Sequence, residues 1–190
     1  MYQITMNDIE GKDYINISTY SKIKVGKQLA PGYPTSFKTI LGTTGSIRNA
    51  LSFLTIKGFP VKLIGKKRLT SYDVKSLQTK ESVKIDNYKA YLIYFISLRI
   101  LNDPELLEAL KKLPKDIKFT SFNTCTDKIL DCKSRLYNSN QNMYCDVVTE
   151  LFALIQDDKF DNTSIQKFVI DNKSKDIELF TCLPNPVSII

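Results

Sequence analysis

The chain has 190 residues, 43% of them hydrophobic and 25% charged, which is enough apolar material for one compact domain and excludes disorder as the main state. It contains no histidine and no tryptophan. Ser-His-Asp and Cys-His nucleophile systems and imidazole-based zinc sites are therefore excluded, and any proton transfer falls to Asp, Glu, Lys, Tyr or Cys. Lys plus Arg number 27 against 20 Asp plus Glu, a net charge of +7 that favours anionic partners: nucleic acid, a nucleotide or an acidic surface.

Residues 1–11 are polar and acidic, unlike a signal peptide. Residues 14–19 alternate apolar and polar side chains and predict a short strand. Residues 27–45 read as loop, broken by Pro31, Gly32, Pro34, Gly42 and Gly45. Ser46 then suits an N-cap, because its hydroxyl accepts from a free amide of the first turn. Ile47, Ala50, Leu51 and Leu54 follow at i, i+3, i+4 and i+7, one face of a helix that Gly58 and Pro60 end.

Residues 62–68 are basic and contain Gly65. Residues 70–79 predict a short helix, with Ser71 as its cap and Asp73 in the first turn, where a carboxylate suits the positive helix end. The clearest helix covers residues 85–101, where Tyr88, Tyr91, Leu92, Phe95, Leu98 and Ile100 are apolar over a wide arc, so it should be central. Residues 83–101 come nearest to a membrane span, but Lys84, Asp86, Lys89 and Arg99 interrupt them, and no membrane partner is expected. Asn102-Asp103-Pro104 stops this helix and starts the next, with Leu106, Leu107 and Leu110 facing the core and Pro114 closing it.

Residues 117–125 are strand-like and residues 138–142 form a polar loop. A helix over residues 143–155 carries Met143, Val147, Leu151 and Leu154 on one stripe. Residues 167–171 and 177–182 suit a final hairpin, followed by a tail over residues 184–190. The pattern is a helix-rich α+β single domain with a few short strands. Cys125, Cys132, Cys145 and Cys182 show no CxxC spacing and read as reduced thiols in a cytoplasmic setting.

Three groups of residues could carry chemistry. Lys66, Lys67 and Arg68 follow Gly65 and either form a solvated charge run or, on a flexible backbone, meet a phosphate, although neither GxxxxGK[ST] nor GxGxxG is present. Asp73 with Lys75 lies nearest that segment, and a carboxylate beside cations keeps a low pKa. Tyr88, Tyr91, Tyr94 and Phe95 either pack a core or sandwich a base, and Arg99 either offsets the helix dipole or reaches a phosphate.

The ordered series of motifs resembles the NADAR (YbiA-like) family. Ser46-Ile47-Arg48 opens a helix where the family has a Ser-x-Glu or Thr-Ser-Glu signature. Leu63-Ile64-Gly65-Lys66-Lys67 is similar to its Gly-Arg stretch, and Tyr72-Asp73-Val74-Lys75 occupies the place of its Asp-Trp element. The run from Ser97-Leu98-Arg99 through Asn102-Asp103-Pro104-Glu105-Leu106 resembles the end of its long helix. Asn140-Gln141-Asn142-Met143 is similar to the approach to its last helix. The resemblance implies a NADAR-like domain over residues 1–155 and a C-terminal extension over residues 156–190.

It also implies N-glycosidic hydrolysis of ADP-ribose-type or nucleotide-derived compounds, with no cofactor. The family's key glutamate falls here on Arg48, or on Phe37 in a second register, and neither is a carboxylate. Arginine stays protonated and is no general base. In an active version Asp73 would be the catalytic carboxylate, and Arg48, Lys66, Arg68, Lys75 and Arg99 would bind the ligand. A degenerate, ligand-binding version stands beside it. So does a non-enzymatic viral accessory or virion protein that binds a protein partner or its own copies, and a small basic nucleic-acid module.

Overall fold

The computed structural model describes residues 10–39, 41–84, 87–121 and 139–171. Helices and short strands mix in an α+β arrangement, and the chain divides into two compact units that interleave in sequence. Over the described residues, the first unit holds residues 10–33 and 103–160, and the second holds residues 34–102 and 161–171. The sequence-based boundary between residues 155 and 156 falls inside the last turn of a helix. No helix among the described residues is long and apolar enough to cross a membrane.

In the first unit, strand β1 (Tyr14–Asn16) pairs in parallel with β4 (Lys118–Thr120), with Ile15 opposite Phe119. Residues 17–19 were predicted to continue the strand. Instead Ile17 donates to Thr120 O and the chain turns at Ser18. Helix α1 (Lys24–Leu29) packs closely on β1, and a Cβ at Gly26 would fall under 3.0 Å from Asn16 O and Ser21 Oγ. The loop between them is tied by Glu10, whose carboxylate accepts from Asn16 N, Lys22 N and Ser21 Oγ.

Helix α5 (Pro104–Lys111) begins as its sequence predicts. Asp103 accepts from Leu106 N at 3.0 Å, and Pro104 takes the first turn, where a missing N–H costs nothing. Helix α6 (Ser139–Gln156) covers β4, with the Phe119 and Phe152 rings edge to face at 5.2 Å. Its Tyr144 hydroxyl donates to Leu29 O at 2.7 Å, and Gln156 donates to Leu110 O at 2.9 Å.

In the second unit, β2 (Phe37–Thr39) and β3 (Gly42–Thr44) form an antiparallel hairpin, with Phe37 opposite Thr44. Gly42 stands at φ +96°, a backbone position that side chains resist. Helix α2 (Ile47–Thr55) follows, capped by Ser46, whose Oγ accepts from Asn49 N at 3.2 Å. A 3₁₀ turn (Val61–Leu63) and helix α3 (Ser71–Gln78) come next. Helix α4 (Tyr88–Leu101) is central, as its apolar arc predicts, and packs against α2, β2 and α7 (Asn162–Asp171). Every residue from Ala90 to Ile100 is buried, so α4 is covered all round. A smaller cluster of Phe59, Leu63, Ile64 and Leu77 lies under the basic segment, with Phe53 edge-on to Phe59.

Four local expectations change. The loop predicted over residues 27–45 contains the end of α1 and the β2–β3 hairpin. Short elements rich in glycine and threonine carry too little periodicity to show in sequence. Thr70, not Ser71, caps α3, because Asp73 reaches back to it. The polar loop at residues 138–142 is from Ser139 onward the first turns of α6. Residues 167–171, predicted as a strand, end helix α7. Residues 122–125, 138, 177–182 and 184–190, with Cys125, Cys132 and Cys182, lie outside the described residues.

Candidate functional site: a pinned basic segment

Position 45 sits where two backbones meet. A Cβ there would fall under 3.0 Å from Lys66 O, Lys66 C and Lys67 N, so only glycine leaves room. Gly45 N donates to Ile64 O at 2.8 Å, and Thr44 Oγ1 reaches Ser46 O at 2.9 Å and Ile64 O at 3.3 Å. Asn49, one turn into α2 and buried, donates through Nδ2 to Leu63 O at 3.1 Å and to Lys66 O. These bonds satisfy carbonyls that would otherwise be lost to water, and they fix residues 63–67 against the start of α2.

The consequence is geometric. Asn49, the chain neighbour of Arg48, bonds directly to the carbonyl of Lys66. The first turn of α2, which carries Arg48, is thereby tied to the Lys66 peptide in the second unit. Arg48, Lys67 and Arg68 are exposed there.

Lys66 does not share that freedom. Its Nζ lies 2.6 Å from Asp73 Oδ2, and its side chain is partly buried. The same oxygen accepts from Thr70 N and Thr70 Oγ1, each at 2.7 Å, and Asp73 N returns a bond to Thr70 Oγ1 at 3.2 Å. This is a reciprocal capping box with a lysine added. The Lys66 ammonium, then the backbone and hydroxyl donors of Thr70, hold the Asp73 carboxyl down to about 2. At neutral pH Asp73 is an ionised partner in the capping box, bonded through Oδ2, with no proton to give.

Lys75 is exposed in the last turn of α3. Arg99 is only 2% exposed, inside the last turn of α4, where its charge suits the helix dipole and where solvent phosphate does not reach. Tyr91, Tyr94 and Phe95 are core: the ring centroids of Tyr94 and Phe95 are 5.2 Å apart, and all three residues are buried. Among the described residues no three His, Cys, Asp or Glu side chains gather as a metal site. Burial, with Asp146 nearby, pushes the Cys145 thiol up to about 12, which removes it as a nucleophile.

Three residues that build the site take roles that the sequence does not announce. Gly45 reads in the sequence as a loop breaker, and in the fold it is there for space. Asn49 lies on the face of α2 opposite the apolar stripe, where polar residues are expected to be solvated. Lys67 and Lys66 read as one charge run, but Lys66 pairs with Asp73 and Lys67 is exposed. No family model matches the chain, and no curated protein or solved structure matches it.

Proposed function

We propose that the second unit binds the phosphate groups of an ADP-ribose-type nucleotide on Arg48, Lys67 and Arg68, and that the protein does so without cleaving its ligand. In this proposal the chain is a degenerate NADAR-like protein, and the resemblance supplies the ligand class. The observation that carries it is the pinning of residues 63–67 by Gly45 and Asn49, which ties the basic segment to the turn of α2 that carries Arg48. A preorganised backbone lowers the cost of ordering a binding site.

The proposed lack of turnover rests on the want of a general acid: Asp73 is held ionised and has no proton to give. Glycoside hydrolysis needs one carboxyl to donate or abstract a proton and another to stabilise positive charge or activate water. Asp73 is ionised and triply bonded through one oxygen, and Arg48 stands at the position of the family's glutamate. What remains is electrostatic recognition of phosphate by exposed guanidinium and ammonium groups.

Thermal unfolding with ADP-ribose, ADP and inorganic phosphate tests the proposal. ADP-ribose at a hundredfold excess over its Kd should stabilise the protein by about 2.7 kcal/mol, and Arg48→Glu with Arg68→Glu should abolish the shift. Chromatography of the same mixtures should recover the ligand intact. No shift with any of the three compounds refutes the binding, and release of free base that Asp73→Asn abolishes refutes the lack of turnover.

A further inference from the structure

Residues 61–84 hold seven of the chain's cations and only two carboxylates, so five units of its net +7 lie in this one stretch. Both carboxylates are engaged: Asp73 pairs with Lys66, and Glu81 pairs with Lys57 at 3.1 Å. Lys62, Lys67, Arg68, Lys75, Lys80 and Lys84 make no ion pair among the described residues. The same stretch carries four of the five large apolar side chains that the described surface exposes: Val61 at 68%, Tyr72 at 80%, Val74 and Val83.

Helix α3 shows how these are arranged. It buries Asp73 and Leu77, which leaves the opposite arc to solvent. At 100° per residue, Lys75 stands at the middle of that arc, with Tyr72 on one side and Val74 on the other. Arg68 and Lys67 lie just before the helix begins. An exposed ring flanked by cations offers a base a surface to stack on while the backbone phosphates meet the ammonium and guanidinium groups. A helix that lies on a lipid surface needs a continuous apolar stripe with its cations on the other face, and here a lysine divides the apolar residues.

We infer that residues 61–84 form a docking surface for single-stranded nucleic acid, with Tyr72 stacking on a base and Lys67, Arg68 and Lys75 neutralising phosphates. The inference does not depend on the binding of a mononucleotide.

The test is fluorescence anisotropy of a labelled oligothymidylate of about twenty nucleotides with the full chain. Binding should weaken on the order of twentyfold between about 50 and 200 mM KCl, the slope of three neutralised phosphates on a single strand. Lys67→Glu, Arg68→Glu and Lys75→Glu together should abolish binding. The same change in net charge at Lys12, Lys112 and Lys115, which are exposed in the first unit, should leave most of it. Tyr72→Ala should cost about tenfold without altering the salt slope, and Tyr72→Phe should restore the loss. Circular dichroism of each variant confirms folding.

The inference fails if the oligonucleotide does not bind, if the two triple variants lose binding equally, or if Tyr72→Ala has no effect. It also fails if anionic phosphatidylserine vesicles bind the chain through Tyr72 and the oligonucleotide does not. A thermal shift with ADP-ribose but no oligonucleotide binding would leave the proposed function standing and remove this one.

Discussion

Asp73 shows how a residue with the chemistry of an active site can be consumed by structure. Its folded pKa falls from the usual 3.8 to about 2 because Lys66 and Thr70 stabilise the charged form. A depressed carboxylate contributes stability that is fully present above its unfolded pKa and is lost as pH falls through its folded pKa. Asp73→Asn should therefore lower the Tm at pH 7, and the gap to the wild type should close between about pH 4 and pH 2. Thermal unfolding at several pH values checks this; a gap that is independent of pH would show that the charge contributes nothing. Gly45 is the second residue on which the site rests. Gly45→Ala should destabilise the protein by about 1–3 kcal/mol in urea titrations, because the added methyl displaces the Lys66–Lys67 peptide.

At the scale of elements, two helix starts were legible, and the β2–β3 hairpin was not. Ser46 and Asp103 announce α2 and α5 because a capping side chain is a local device, readable from a few neighbouring residues. Ser46→Ala should cost about 1 kcal/mol, measured by urea unfolding. The apolar arc of α4 was equally plain, since burial on all sides leaves a run without polar interruption. Strands β2 and β3 have no such signal, and the alternation that marks β1 does not reveal its pairing. The partner of β1 lies at Lys118, and nothing near residue 14 records that distance. The candidate site was half legible for the same reason. The basic run and Asp73 stood out, but their relation to Arg48 depends on Asn49 and Gly45, whose roles exist only once α2 and the 3₁₀ turn are packed together. In α6, burial makes Cys145 inert, so iodoacetamide should modify it only after denaturation, as read by peptide mass spectrometry.

At the scale of the whole molecule, the two units are built from alternating stretches of one chain, so neither is continuous in sequence. Parallel pairing of Tyr14 with Lys118 closes a long loop, and such closure is slow to be rewarded during folding. Ile15→Val, in the fully buried centre of β1, should cost about 1 kcal/mol and act mainly by speeding unfolding, as stopped-flow kinetics would show. The charge is unevenly shared as well. Most of the net +7 is carried by residues 61–84 of the second unit, where both carboxylates are already neutralised. A long-range positive field from that unit attracts phosphates and weakens with salt.

Calorimetric titration of ADP-ribose into the wild-type protein, with chromatography of the contents afterwards, bears most directly on the phosphate-binding proposal. Saturable heat with the ligand recovered whole, and no heat once Arg48 and Arg68 are both changed to Glu, is the predicted result. A flat titration of the wild type, or a cleaved ligand whose cleavage disappears in Asp73→Asn, would contradict it.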